Sequence, residues 1–434
     1  MEEVKEIKEQ KIAISEFVEK SLLSFGIDVN TNRQLSNLYD GLKPSYRRII
    51  YTAMELGNKM KTVTLSGTCV SRYHPHGDAS LLQPISNLVN SGVLGGNGNH
   101  GMKMFRGDNL PPAAPRYTEC WISDKWKAIF KDLLPYVPYV PSELEGFNEP
   151  LYLPSPVPLC FLTGSLGIGF GVNTRTPVFS CESMLDAYFN DDPKLLKPSI
   201  DIELDYDNSE LDRLWNTGIG NVTYSFHCKW GNSKSGQGVY ISGDPTLFKP
   251  SLSVLEKLVT EGKIFINDET DRTGQKIFIS RNYNIKSISW EYLLDLCKSA
   301  STKMRTYRLT VCEGDKAYLI PLKEWLKVSV ENYLRLVDVL KSDKISKYEF
   351  DRLVYLNLPR VAEYLFNHRN SNNEEISNEL ELDIEIIRAI LQKSINTLKN
   401  TETTEKVNSI MGKINYYKSL NPSDYLKTII KQFN

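Results

Sequence analysis

The stretch SRYHPHGDAS (residues 71–80) sets His74 and His76 on either side of Pro75, and His100 follows in the same basic neighbourhood. Histidines two residues apart on an extended chain are spaced like metal ligands, because neutral imidazole is a common zinc donor. No third ligand stands at a suitable spacing, Pro75 stiffens the peptide, and Arg72, Lys103, Arg106 and Arg116 make a nearby cation unwelcome. Phosphate contact suits three histidines among this much arginine better, although a plain core role is the alternative for any one of them. Tyr117, in PRYTE, is one of 23 tyrosines, for each of which packing is the default. Its place beside Arg116, in a basic segment rich in Gly and Pro, adds a second reading. On that reading the hydroxyl is presented to a phosphodiester as a nucleophile.

These side chains need elements to hold them. PSYRRIIYTAMELG (44–57) places Pro44 at a helix start and Gly57 at its end. DASLLQPISNLVNSG (78–92) reads as a second helix interrupted by Pro84. Two short helices separated by a turn, inside a basic region, suggest a helix-turn-helix. The Gly- and Pro-rich segments between about 95 and 175 are long and irregular, which usually signals function. Residues 200–320 alternate strand-like pieces (NVTYSF, GVYIS, KIFIS, YRLTV) with helical ones (LSVLEKLVTEG, WEYLLDLCKSA), an α+β pattern. Apolar residues at 322, 326, 330, 333, 337 and 340 form a helical seam for a partner helix, and a second seam falls at 407, 410, 414 and 417. Two long helices returning on each other would carry the acidic NSNNEEISNELELD (370–383) at their far end as a dimer contact. An opening helix to about Phe25, with Ile12, Ile14, Phe17, Val18 and Leu22 on one broad apolar face, reads as an arm that packs on another body.

Composition sets bounds. The 434 residues call for two to four domains. No run of eighteen apolar residues and no signal peptide is present, so a soluble, non-exported protein with no membrane partner is expected. Seven scattered cysteines without a Cys-x-x-Cys pair argue against disulfides and a cysteine-held zinc. The net charge of −1 hides an asymmetry: Arg33 to Lys131 carries thirteen Lys and Arg against six Asp and Glu, a balance of +7 that leaves −8 elsewhere. That basic third is the expected contact for a polyanion. A mechanical dinucleotide match, Gly96-x-Gly98-x-x-Gly101, has no strand before it and no apolar helix after it. The acidic strings CEGDKAY and ELDYD read as solvated turns rather than magnesium sites, so no metal ligands are assigned.

Five stretches then fall in one order: DGLKPSYRR (40–48), RYHPHGD (72–78), GGNGNHG (95–101), AAPRYTE (113–119) and LTGSLGIGFGVNTRTP (162–177). In that order and spacing they resemble the breakage-reunion (A) subunit of type IIA DNA topoisomerases. The chain is similar to the A subunit of bacterial gyrase and topoisomerase IV and, by its length, to the medium subunit of phage topoisomerases. The likeness is dense from Arg33 to Pro177 and weaker through WNTGIGNV, IFINDETDRTGQKIFI and the closing NPSDYLKTIIKQFN.

The resemblance implies a mainly helical α+β fold in four parts. They are an N-terminal arm (1–30), a winged-helix (helix-turn-helix) catalytic domain (31–155), an α/β tower domain (156–318), and long coiled-coil helices ending in a dimerisation domain, the exit gate (319–434). It implies that Tyr117 is the nucleophile, that Arg116 stabilises developing charge, and that Arg33 and His76 assist with His74 in support. It assigns Lys43, Arg47 and Arg48 to the DNA backbone and Ile168 to a wedge between base pairs. The implied partners are double-stranded DNA, a second copy of the chain, and a gyrase B-like subunit holding ATP and most of the Mg²⁺, in the cytoplasm of a bacterial or virus-infected cell. A DNA-wrapping domain is missing from the sequence, so relaxation and strand passage are expected rather than negative supercoiling. The sequence departs from the family at NLPPAAP (109–115), at Pro84, and at Ala79 and Gln83, where quinolone-sensitive relatives carry a hydroxyl and an acid. The alternatives are a helix-turn-helix DNA-binding protein with a structural Tyr117 and, less favoured, a tyrosine recombinase.

Overall fold

The computed structural model describes residues 14–205, 208–234, 236–271, 274–283, 288–368, 371–393 and 400–431. Ile12, counted on the apolar face of the arm, lies outside the described residues. The fold is α+β and mainly helical, and it divides into two compact units, one reaching Asn332 and one beginning at Tyr333.

In the first unit, three helices pack against a small antiparallel sheet. Pro44–Leu56 starts on Pro44, whose missing N–H costs nothing at a helix start, and stops at Gly57, which has φ +68. It buries Ile49, Ile50 and Ala53. Thr62–Arg72 follows, a helix that its own residues do not announce: Thr, Ser, Val and Gly67 are weak helix formers, and tertiary burial of Leu65 and Cys69, one turn apart, holds it. Ala79–Asn90 is a single helix. Pro84 removes one hydrogen bond, to the Ser80 carbonyl, but does not divide it, because Leu81, Ile85 and Leu88 are all buried on one face. The sheet is ordered Met60–Lys61, Glu119–Ile122, Leu94–Asn97.

Two larger antiparallel sheets also belong to this unit. The five-stranded one runs Leu166–Ile168, Asn173–Arg175, Thr302–Arg308, Ile219–Ser225, Glu203–Asp205. In Ile219–Ser225 the strand period of two puts Val222 and Tyr224 into the core. The four-stranded sheet runs His227–Ser233, Gly236–Gly243, Gln275–Arg281, Ile264–Asp268. Ser36–Asn37 pairs in parallel with Thr310–Glu313, and buried Trp325 donates its indole N–H to the Leu38 carbonyl at 2.7 Å.

The helix Leu322–Asn367 has 46 residues, about 69 Å at 1.5 Å per residue. Every residue of the expected seam, Leu322, Leu326, Val330, Tyr333, Val337 and Leu340, is buried. In the second unit this helix is met by Asn400–Ser419, running the opposite way. Lys341 Nζ donates to the Leu420 carbonyl (2.9 Å), Glu349 pairs with Lys418 (2.9 Å), Tyr348 meets Tyr417, and Lys406 lies over Tyr355. Ile410 and Ile414 of the second seam are buried; Val407 and Tyr417 are half-buried. Asn373–Leu380 and Ile384–Leu391 close on Val354, Leu358 and Val361 through Ile376, Leu380, Ile387 and Ile390. No helix among the described residues is long and apolar enough to cross a membrane.

Candidate active site

Tyr117 stands at the edge of the small sheet, two residues before the strand Glu119–Ile122. Its side chain is 65% exposed, which removes core packing as its role. The Arg116 guanidinium lies over the ring, 4.5 Å from its centroid. The backbone around the pair is fixed from several sides. Thr62 N–H donates to the Thr118 carbonyl (3.0 Å), Val63 N–H to the Pro115 carbonyl (3.2 Å), and Tyr117 N–H to the Ala114 carbonyl (2.9 Å). The buried Thr118 hydroxyl donates to Thr62 Oγ1 at 2.8 Å. Gly98, at φ +89, lies so close that a Cβ there would sit 3.4 Å from the Tyr117 carbonyl. An exposed phenol on a pinned backbone is how a nucleophile is presented. Glu119 is bonded by Lys59 (2.8 Å), Asn97 (3.3 Å) and Lys61 (3.2 Å), hydrogen bonds that hold its pKa at about 2.

A second cluster gathers around His74. Arg48 is buried and forks onto Glu149 (2.8 Å to each oxygen), reaches Glu143 at 3.0 Å, and donates to His74 Nδ1 at 3.3 Å. Arginine only donates, so Nδ1 is the acceptor and the proton sits on Nε2, which faces Ser80 Oγ at 3.1 Å. Burial, then the Arg48 and His76 charges, pushes His74 down to about 4, so the ring is neutral at pH 7. His76 meets it edge-on with ring centroids 4.8 Å apart. Arg33, half-exposed in the short π-helix Asn30–Gln34, adds its charge to the same neighbourhood. No hydrogen bond, ion pair or ring contact among the described residues joins this cluster to Tyr117.

Several of the expected contact residues have partners within the protein. Arg47 and Arg48, assigned by resemblance to the DNA backbone, are turned inward. Arg47 is buried against Asp40 (2.8 and 3.3 Å), whose carboxylate also accepts from the Leu42 and Leu153 N–H groups. Their charge is used in closing the core. His100 is buried, with Nε2 3.1 Å from the Glu119 carbonyl, so it braces the strand that follows Tyr117. Lys43 is half-buried, its Nζ donating to the Leu166 carbonyl at 2.8 Å, and burial lowers its pKa. It thereby supports the hairpin whose tip carries Ile168, 71% exposed, and Phe170, half-exposed. Two of the four glycines of GSLGIGFG are explained here: a Cβ on Gly167 would lie 2.1 Å from the Gln34 carbonyl, and one on Gly169 2.0 Å from Asn30 Oδ1. Asn30 grips both backbone groups of Phe170 (2.8 and 3.1 Å).

Thr62, Thr118, Asn30, Glu149 and Asp40 are supports that sequence reasoning does not single out. The adjacency of Thr118 to Tyr117 and the place of Asp40 at the head of DGLKPSYRR are the available signals, since Thr62, Asn30 and Glu149 come from distant parts of the sequence. Among the described residues, no three His, Cys, Asp or Glu side chains converge as metal ligands.

The family model described as DNA gyrase/topoisomerase IV, A subunit, matches residues 33–434. The DNA gyrase A subunit of Borreliella burgdorferi is 26% identical over 420 residues, covering 81% of this chain and 51% of its own length. The DNA topoisomerase 4 A subunit of Haemophilus influenzae is 26% identical over 437 residues, covering 91% of this chain and 57% of its own. The DNA gyrase A subunit of Granulibacter bethesdensis is 29% identical over 300 residues, 62% of this chain and 31% of its own. The chain thus spans from just under a third to somewhat over half of the length of these relatives. With a family match running from Arg33 to the last residue, through both clusters and both units, the chain belongs to the family of DNA gyrase and topoisomerase IV A subunits.

Proposed function

We propose that this chain is the DNA-cleaving and resealing subunit of an ATP-dependent type II topoisomerase, with Tyr117 as nucleophile. The observation that carries the reading is an exposed Tyr117 under Arg116, on a backbone pinned from both sides, in a chain of this family. The Tyr117 oxygen attacks a backbone phosphorus. The tyrosyl O–P bond forms, the P–O3′ bond breaks, the phenolic proton leaves, and the departing 3′ oxygen takes one up. The 5′-phosphate stays on Tyr117, and the reverse reaction reseals the strand without consuming nucleotide at this step. Arg116 stabilises charge on the phosphoryl oxygens. Arg33 and His76 assist, with neutral His74 orienting His76 from its own fixed position. Lys43 contributes backbone affinity and Ile168 the wedge that bends the duplex. Arg47 and Arg48 act from inside, holding the helix start and His74.

The three helices and small sheet serve as the winged-helix catalytic domain (31–155), the larger sheets as the tower (156–318), and the long helices as the coiled coil and exit gate of a homodimer (319–434). Mg²⁺ does not fit a donor set among the described residues, and no step of the reaction is routed through it. We assign Mg²⁺ and ATP to a gyrase B-like partner, with the complex working in the cytoplasm of a bacterial or virus-infected cell. The activity proposed is relaxation with passage of a second duplex through the cut.

The test is denaturing capture of protein-linked DNA from supercoiled plasmid and Mg²⁺, using this chain together with its ATPase partner. The expected product is a 5′-linked adduct, absent from Tyr117→Phe while plasmid binding persists. An adduct that survives in Tyr117→Phe moves the nucleophile elsewhere. A wild type that relaxes plasmid without any adduct refutes the covalent mechanism, whereas one that binds plasmid but neither cleaves nor relaxes it leaves the DNA-binding module as the reading.

A further inference from the structure

Between the glycine-rich run and Tyr117 the chain makes a hairpin that the cleavage reaction does not use. Met102 and Leu110 exchange both backbone hydrogen bonds at 2.9 Å, and Gly107 turns the tip at φ +72. An exposed basic hairpin needs no apolar tip, yet Phe105 at this tip is 3% exposed. Its ring packs against Phe226 at 4.7 Å, and Phe226 in turn against Phe248 at 4.5 Å. The buried amide of Gln275, the first residue of a strand in the four-stranded sheet, reads the hairpin backbone in both directions. Its Oε1 accepts from Phe105 N–H (3.3 Å), and its Nε2 donates to the Lys103 carbonyl (3.2 Å) between the sulfurs of Met102 and Met104. Lys103 Nζ donates to the Thr246 carbonyl, and Lys249 Nζ to the Gly107 carbonyl at 2.8 Å.

The base of the hairpin is tied equally well to the nucleophile segment. Asn99 accepts from Ala113 N–H through its backbone carbonyl (2.9 Å) and donates its side-chain amide to the Pro111 carbonyl (3.0 Å). Asn90 reaches the Gly101 carbonyl at 3.3 Å. Both ends being held, a hairpin of this kind transmits displacement instead of absorbing it.

We infer that the Met102–Leu110 hairpin is a strut linking the four-stranded sheet to Tyr117, and that Phe105 and Gln275 are positioning residues for DNA cleavage. The inference rests on the reading of Tyr117 as nucleophile. A phenol presented from a loose segment loses the alignment needed for in-line attack, while the charges that bind the backbone stay where they are. The strut therefore governs the cleavage step and not DNA affinity.

The test uses the chain with its ATPase partner, supercoiled plasmid and Mg²⁺, comparing Phe105→Ala, Phe105→Leu and Gln275→Ala. The 5′-linked adduct is expected to fall about ten- to a hundredfold in the two alanine variants, the scale of an ångström's misplacement. Phe105→Leu should restore most of it, and plasmid affinity should stay within about twofold of wild type. Adduct at the wild-type level in both alanine variants overturns the strut. So does a parallel fall of adduct and affinity without rescue by leucine.

Limited trypsin digestion of the chain alone reads the anchor independently of chemistry. Exposed Arg106 sits at the tip, and cleavage after it should accelerate at least about tenfold in Phe105→Ala and Gln275→Ala, since a released tip opens without unfolding the rest. Unchanged protection in both variants refutes the anchor even if the wild type forms no adduct, an outcome that by itself counts against Tyr117 as nucleophile.

Discussion

A carboxylate that never meets solvent decides how the DGLKPSYRR segment is held. Asp40 is fully buried and gathers Arg47, Leu42 N–H and Leu153 N–H at once. Removing it leaves a guanidinium buried without its anion, which costs about 3–5 kcal/mol. Asp40→Ala is expected to lose that much in denaturant unfolding of the first unit; a loss under about 1 kcal/mol would mean the pair is dispensable. His74 has the opposite electrostatic problem. In the unfolded chain it takes a proton near pH 6.5, but in the fold, where burial and Arg48 oppose it, only near 4. The unfolded state thus binds more protons between those values, and stability falls as pH drops from 6.5 towards 4. His74→Asn should flatten that part of a denaturant-midpoint profile and leave it unchanged above pH 7. His227 runs the other way: burial lowers its pKa, but bonds to Glu203 (2.8 Å) and Asp201 (2.9 Å) outweigh this and raise it. Its contribution is present below its unfolded value and is lost as pH rises through the raised one.

Among the elements, the Leu166–Ile168/Asn173–Arg175 hairpin is the most exacting. Gly167 and Gly169 face a carbonyl and an amide oxygen at distances no Cβ tolerates. Gly169→Ala must push Asn30 off Phe170, so the tip bearing Ile168 loses its brace. The expected result is a plasmid-cleavage defect with the melting of the second unit unchanged; wild-type cleavage would show that the tip is held by other means. Glycines at such spacing are legible as a motif but not as a close approach, because Asn30 and Gln34 are more than a hundred residues away. The same limit explains what else stays hidden. Periodicity reveals the seams from Leu322 to Leu340 and at Ile410 and Ile414, since burial there follows local spacing. It misses Thr62–Arg72, whose residues do not favour a helix. It also leaves Arg47 and Arg48 with the ordinary exterior role of arginine, because their anions, Asp40 and Glu149, are named only by the tertiary fold. Of the candidate site, the identities of Tyr117, Arg116, His74 and His76 are readable, and the division into two clusters is not.

For the whole molecule, charge behaves differently from its sum. The +7 of Arg33 to Lys131 is partly spent internally: Arg47, Arg48, Lys59, Lys61 and Arg72 all have carboxylate partners. Plasmid affinity is therefore expected to fall with salt less steeply than thirteen cations would require, each phosphate contact contributing a slope of about 0.9. A titration giving a slope near the full count would mean that these pairs open on DNA.

The antiparallel pairing of Leu322–Asn367 with Asn400–Ser419 also constrains how this lineage can change. Lys341 with Leu420, Tyr348 with Tyr417, and Tyr355 with Lys406 are rungs of one ladder, so an insertion or deletion on one rail breaks every rung beyond it. Losing residues 343–349, a heptad of about two turns, should unfold the second unit, while losing 412–418 with them should restore a shorter, stable one, as calorimetry would show. Paired helices of this kind lengthen or shorten only by matched steps, and the length of the second unit is inherited in whole turns.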